Sequence, residues 1–221
     1  MESISPKRVI VGALATVLSE LPTLAKALLG PGLIYLTLAF YQPAEISTGI
    51  AVVLAAASLL LHTVFAITTH RIVMLGSGSI PEWGLRSWSR RETRFAGYVL
   101  ALVFILSFLV AIAVATPPIG PIMLMILVVI GGPALSLIFP AVALEEEFTL
   151  LDAWRMAQGH LPALIICVGL FPTLLAMVTF SVSMIPYARP VAALLELVTT
   201  VLTIATLSLA FSEIRRSKPS G

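Results

Sequence analysis

Glu196 lies inside an apolar run, and Thr199, Thr203 and Thr206 follow it at i+3, i+7 and i+10. That spacing puts all four on one face of a helix. A carboxylate in hydrocarbon costs about 3 kcal/mol, so such a residue marks either a working site or a paired one. Two readings stand. In one, Glu196 and its threonines form an intramembrane polar site. In the other, Glu196 pairs with Arg189, and the hydroxyls bond back to carbonyls of their own helix or pack on a neighbour. His62 poses the same choice in another apolar run, with Ser58 one turn before it and Thr69 seven residues after. It is either a neutral imidazole hydrogen-bonded across helices or a proton-relay or ligand partner for Glu196. Gly131-Gly132-Pro133 and Pro140 interrupt one apolar run, and Pro172 another. Broken helices build binding sites in transporters; prolines also kink spans with no further role.

The chemistry of soluble enzymes is missing. There is no G-x-x-x-x-G-K-[ST], no H-E-x-x-H and no G-x-S-x-G. Gly76-Ser77-Gly78 lacks the preceding strand of a phosphate loop and reads as a turn. Glu145-Glu146-Glu147 is acidic, but consecutive residues do not converge on one helix face, so it reads as a solvated helix end. His62, His70 and His160 make no convincing metal set, since His70 and His160 are expected near the membrane surface. Cys167, the single cysteine, forbids an intramolecular disulfide and reads as a small buried hydrophobe. The sequence therefore predicts no catalytic residue, no metal and no cofactor. The basic residues are not gathered into a nucleic-acid-like surface.

The arginines suggest something else. Arg86, Arg90, Arg91 and Arg94 cluster in one connection, and Trp154 and Arg155 sit in another. At a membrane surface such arginines engage anionic headgroups at about 1 kcal/mol each, and tryptophan anchors at headgroup level.

These residues must be positioned by helices in lipid. The 221 residues are 59% hydrophobic and 11% charged, against roughly 45–50% and about 25% in soluble domains. A span needs about 20 apolar residues, and six stretches qualify: 22–41, 50–73, 95–115, 119–144, 161–185 and 191–211. Backbone in lipid must satisfy its own hydrogen bonds, and runs such as LMILVVI do not alternate as barrel strands do, so the spans are helical. Glu20 and Pro22 interrupt the N-terminal apolar stretch and Lys26 would fall inside a cleavage site, so retention of this segment is expected. Eleven of the Lys and Arg residues fall on one side of the spans and only Arg189 on the other. That bias predicts a cytoplasmic location for both termini.

Three short segments on the basic side carry helix-start signals: 6–20 after Ser5, 80–89 after Ser79, and 149–158 after Thr149, whose Asp152 completes the pattern [ST]-x-x-[DE]. Gly159 stops the last and Pro162 opens the next helix. The starts recur at 74 and 70 residues. The expected fold is all-α: a single integral membrane domain of six transmembrane helices, arranged as three hairpins. Each hairpin is preceded by a short interfacial helix, with Trp83, Trp88 and Trp154 as anchors.

Two segments carry a resemblance. THRIVMLG (Thr69–Gly76) resembles a short aromatic-His-Arg-aliphatic-Gly signature, with Thr69 where the aromatic stands. LSLIFPAVALEEEFTLLDAWRMAQGH (Leu135–His160) resembles a second signature through Pro140, Ala153, Trp154 and Gly159. Both belong to an uncharacterised family of bacterial six-span inner-membrane proteins. Its layout is similar to the membrane domain of some glycerophosphoryl diester phosphodiesterases. The resemblance implies the fold and a bacterial inner-membrane location, and no substrate. The expected role is non-enzymatic: organising membrane lipids, a membrane-protein partner or a homo-oligomer through the basic face. The alternative is a small transporter or channel using Glu196, His62 and the break at Gly131–Pro133.

The orientation is testable. In a Cys167→Ser background, Lys7→Cys, Arg90→Cys and Arg216→Cys are expected to react with an impermeant maleimide from one face of the membrane, and Arg189→Cys from the other. Labelling of Arg90→Cys and Arg216→Cys from opposite faces overturns the topology.

Overall fold

The computed structural model describes residues 3–40, 47–81, 88–185 and 187–217. Six helices in it are long and apolar enough to cross a membrane, and every regular element among the described residues is helical. In chain order the elements are α1 (Pro6–Ser19), α2 (Leu21–Phe40), α3 (Thr48–Leu75), α4 (Arg90–Ala115), α5 (Ile119–Ala143), α6 (Leu150–Ala157), α7 (Leu161–Ser183) and α8 (Arg189–Ser217). Helices α2–α3, α4–α5 and α7–α8 pack as three consecutive hairpins. The protein is an all-α polytopic membrane bundle.

The helix starts follow local chemistry. Ser89 and Glu92 form a capping box at α4, and Thr149 and Asp152 form one at α6. The first begins α4 at Arg90, five residues before the expected span. Arg90, Arg91 and Arg94 therefore belong to the opening turns of a spanning helix, not to a connection. Thr149 Oγ1 and its amide donate to Asp152 at 2.6 and 3.0 Å, and these bonds hold the Asp152 carboxyl below its ordinary range. Gly159, at φ 84, follows α6 in the left-handed conformation that glycine adopts freely. The short helix expected over 80–89 falls largely on 82–87, with Trp83 and Arg86, outside the described residues.

Helix α1 is more than a surface element. Val9, Ala13 and Val17 are buried while Leu14 and Leu18 open outward. Its apolar residues are thus split between two environments. Arg8 reaches Glu213 at 4.0 Å, and one turn on, a Cβ at Gly12 would stand 3.2 Å from Leu209 of α8. The descending register means α1 and α8 run past each other in opposite directions.

The prolines are absorbed by widened turns. Leu127–Gly131 and Ile165–Leu170 are π-helical, ahead of Pro133 and Pro172. Proline cannot donate to the carbonyl four residues back and its ring crowds it; a π turn makes room. The two interruptions meet, since a Cβ at Gly169 would lie 3.5 Å from Pro133. The break in α5 therefore has a partner in α7.

Burial is uneven. The main core gathers Phe95 of α4, Leu137, Ile138 and Val142 of α5, Leu164 and Cys167 of α7, and Phe211 and Ile214 of α8. All lie towards the basic end. Beyond it, Phe104 and Phe108 of α4 are 73% and 68% exposed, which suits hydrocarbon as solvent. The far turn of the α4–α5 hairpin is closed by Gly120, where a Cβ would stand 2.5 Å from the Ala113 backbone. Gly120→Ala is expected to destabilise the protein by about 1–3 kcal/mol through overpacking. Gly97→Ala, which has nothing within 4 Å, should be neutral or slightly stabilising. Thermal unfolding in detergent checks the pair, and equal melting shifts would refute the close approach.

Candidate functional site

The first polar region is built where α3, α4, α5 and α8 end or begin at the basic end. The Ser89 cap turns the start of α4 so that the Arg91 side chain points inward, and only 4% of it is exposed. Its guanidinium holds two carboxylates: Glu92, through Nε at 3.0 Å and through Nη2, and Glu145, through Nη1 at 2.7 Å. Arg71 of α3 approaches the same Glu145 at 3.6 Å and donates to the carbonyls of Ala143 and Ser79 at 3.2 and 3.3 Å. Glu145 adopts φ 67, a conformation costing a non-glycine residue about 1–2 kcal/mol. The two arginines offset that strain and fix the turn after α5. Arg94 donates to the Glu146 carbonyl at 3.3 Å, Tyr98 to the Phe148 carbonyl at 3.4 Å, and Arg215 of α8 pairs with the Glu146 carboxylate.

Those bonds leave a cleft of about 840 Å³ between the start of α4 and the turn before α6. Arg90, Arg91, Arg94, Tyr98, Glu145 and Glu147 line it. Arg91 is consumed by its ion pairs. Arg90 and Glu147 are exposed and have no ion-pair or hydrogen-bonding partner among the described residues. Trp154 and Arg155 project outward from α6, apart from this cleft. Arg86 lies outside the described residues. The segments Thr69–Gly76 and Leu135–His160 meet here, through Arg71 of the first and Ala143 and Glu145 of the second.

The second polar region is intramembrane. The Tyr35 hydroxyl of α2 stands beside the Glu196 carboxylate of α8. The Tyr35 ring meets His62 of α3 edge-on, with centroids 5.9 Å apart. His62 Nδ1 lies 2.8 Å from the Ser58 carbonyl, so it must donate and the ring carries its proton there. The fold thus brings Tyr35, a residue not singled out from the sequence, to the Glu196 carboxylate; a hydroxyl-bearing aromatic in mid-span was the available signal. Thr199 Oγ1 donates to the Glu196 carbonyl at 3.0 Å, bonding back to its own helix. A cleft of about 740 Å³ between α7, α8 and the end of α2 is lined by Arg189, Glu196, Thr179, Thr199, Thr200 and Thr203. His62 and the α5 break are not among its lining residues.

His70 and His160 are buried within the basic end, 1% and 0% exposed. Ser208 donates its hydroxyl to Ile204 at 2.8 Å, so its oxygen accepts from His70 Nδ1 at 2.7 Å. The Ile4 amide donates to His160 Nδ1 at 3.4 Å. Both histidines tie helices together at the basic end. Cys167 is fully buried. Among the described residues, no three His, Cys, Asp or Glu side chains gather as metal ligands would.

No protein-family profile, curated protein or solved structure matches the chain.

Breaking a buried ion pair costs about 3–5 kcal/mol, because one charge is left behind. Glu92→Gln is expected to approach that loss, because Arg91 loses its buried partner and keeps only the solvent-screened Glu145. Glu145, with a side chain 58% exposed, is screened by solvent, so Glu145→Gln should cost about 1 kcal/mol or less. Unfolding of both variants in detergent checks the order, and a reversed order would mean that Glu145 is the principal counter-ion.

Proposed function

We propose that this protein is a non-enzymatic, multi-pass component of a bacterial inner membrane, with both termini in the cytoplasm. It organises phospholipid through the charged cleft at its basic end. The observation that carries the reading is the height of the cleft's arginine wall. Helix α4 has 26 residues, about 39 Å at 1.5 Å per residue, while the hydrocarbon core is about 30 Å thick. The opening turns of α4 therefore stand in the headgroup layer. There Arg90 and Arg94 face a space bounded below by Tyr98, Val142 and Phe148. A phosphodiester fits the two guanidinium groups, and the apolar floor fits the start of the lipid chains. Cytoplasmic orientation is supported by the arginine bias of the connections.

A second reading, a small transporter or channel, draws on the hydroxyl-lined cleft that reaches Glu196. An open polar groove at the depth of a span is how an ion or solute path begins.

For the lipid reading, Arg90→Ala/Arg94→Ala is expected to weaken binding of anionic phospholipid by about 2 kcal/mol, roughly 30-fold. Native mass spectrometry of protein extracted with its lipid reads this directly, and unchanged lipid retention sinks the proposal. For the transport reading, wild-type protein in liposomes should conduct protons, followed with an internal pH dye, and Glu196→Gln should slow that flux at least tenfold. Equal flux in the two removes it.

A further inference from the structure

We infer that the cleft at the basic end selects a zwitterionic headgroup bearing a primary ammonium, the phosphoethanolamine group of an aminophospholipid. The inference rests on the lipid reading and deepens it.

The charges around the cleft do not cancel evenly. Arg91 is matched by Glu92 and Glu145, Arg71 shares Glu145, and Arg215 takes Glu146. Among the described residues Arg94 bonds a carbonyl, which is neutral, and no carboxylate. Arg90 and Glu147 remain, and both line the cleft. Among the described residues, the result is two uncompensated cations on the α4 wall and one uncompensated anion on the turn opposite.

A phosphodiester settles on the α4 wall through charge-assisted hydrogen bonds from guanidinium. The headgroup substituent beyond the phosphate then meets Glu147. A glycerol headgroup brings hydroxyls but no positive charge, and it leaves the Glu147 carboxylate facing a phosphate anion. A choline brings a positive charge but no N–H to donate. A primary ammonium brings both, with three donors for a carboxylate that otherwise has none. The two walls therefore match the phosphate and amine of one headgroup. The volume, about 840 Å³, falls within the roughly 300–1,000 Å³ of small-ligand sites. The location at headgroup height, over an apolar floor, assigns the phosphoethanolamine to a lipid, not to a free solute.

The test uses the full-length protein in nanodiscs doped with phosphatidylethanolamine, phosphatidylglycerol or phosphatidylcholine, with bound lipid counted by native mass spectrometry. Wild type should retain phosphatidylethanolamine about fivefold over either competitor, the scale of one rim-exposed charged hydrogen bond. Glu147→Gln should erase that preference and leave phosphatidylglycerol binding intact or raised. Its side chain has no described partner to lose, so the fold is not at stake. Equal retention of the three lipids by wild type, or a preference surviving in Glu147→Gln, overturns the inference while the lipid reading stands. Retention insensitive to Arg90→Ala/Arg94→Ala overturns the lipid reading instead. Soluble phosphoethanolamine displacing the lipid at equal concentration would assign the site to a free solute and also overturn the inference.

Discussion

A backbone amide in hydrocarbon has no water to bond. Every spanning segment must therefore satisfy its own peptide groups, and the rest of the structure works within that limit. Helices α2 to α5, α7 and α8 follow from it directly. Its subtler traces are in the exceptions. Where Pro133 and Pro172 remove a donor, the chain does not open into loop; it widens to π turns just before each ring. Hydroxyls along the spans follow the same economy, with Thr37, Thr63, Thr173, Thr206 and Ser208 each donating to a carbonyl of their own helix.

Once lipid supplies the solvent, apolar burial no longer decides which helix sits beside which, since lipid tails are as apolar as leucine. Polar contacts and close packing must do so. The polar contacts between distant segments gather at the basic end: Arg91 and Arg71 on Glu145, Arg215 on Glu146, His70 on Ser208, and Ile4 on His160. The densest apolar core is there too. One end of the bundle is thus specified by directional bonds, while the other is held by hairpin turns and small-residue contacts such as Gly120 on Ala113. The charged cleft sits on the specified end. Its walls keep their shape because the neighbouring charges are already committed.

The sequence made the spans, hairpins and caps legible because each depends on local chemistry. Thr149 caps and Gly159 and Pro162 punctuate as expected, while the Ser89 cap that starts α4 earlier was not singled out. The features that escaped it are tertiary. Arg91 looks like its neighbours Arg90 and Arg94 in the chain, yet it alone turns inward, and only the fold brings Glu145 to it. Tyr35 reads as one more aromatic in an apolar run until α8 sets Glu196 beside it. Pro133 and Pro172 lie far apart in sequence, and their shared interruption appears only when α5 meets α7. Gly12, polar-faced on a helical wheel, lies against Leu209 because α1 packs along α8 as well as facing outward.

Little of the apolar length of α4 is buried, though it packs on α5, and this has a geometrical result. Its arginine-bearing end is clamped, and its opposite tip shares only the α5 hairpin. Such a member is a cantilever. Over about 39 Å, one degree of tilt at the clamp moves the tip by about 0.7 Å, so the leaflet away from the arginines sees an amplified copy of any strain at the clamp.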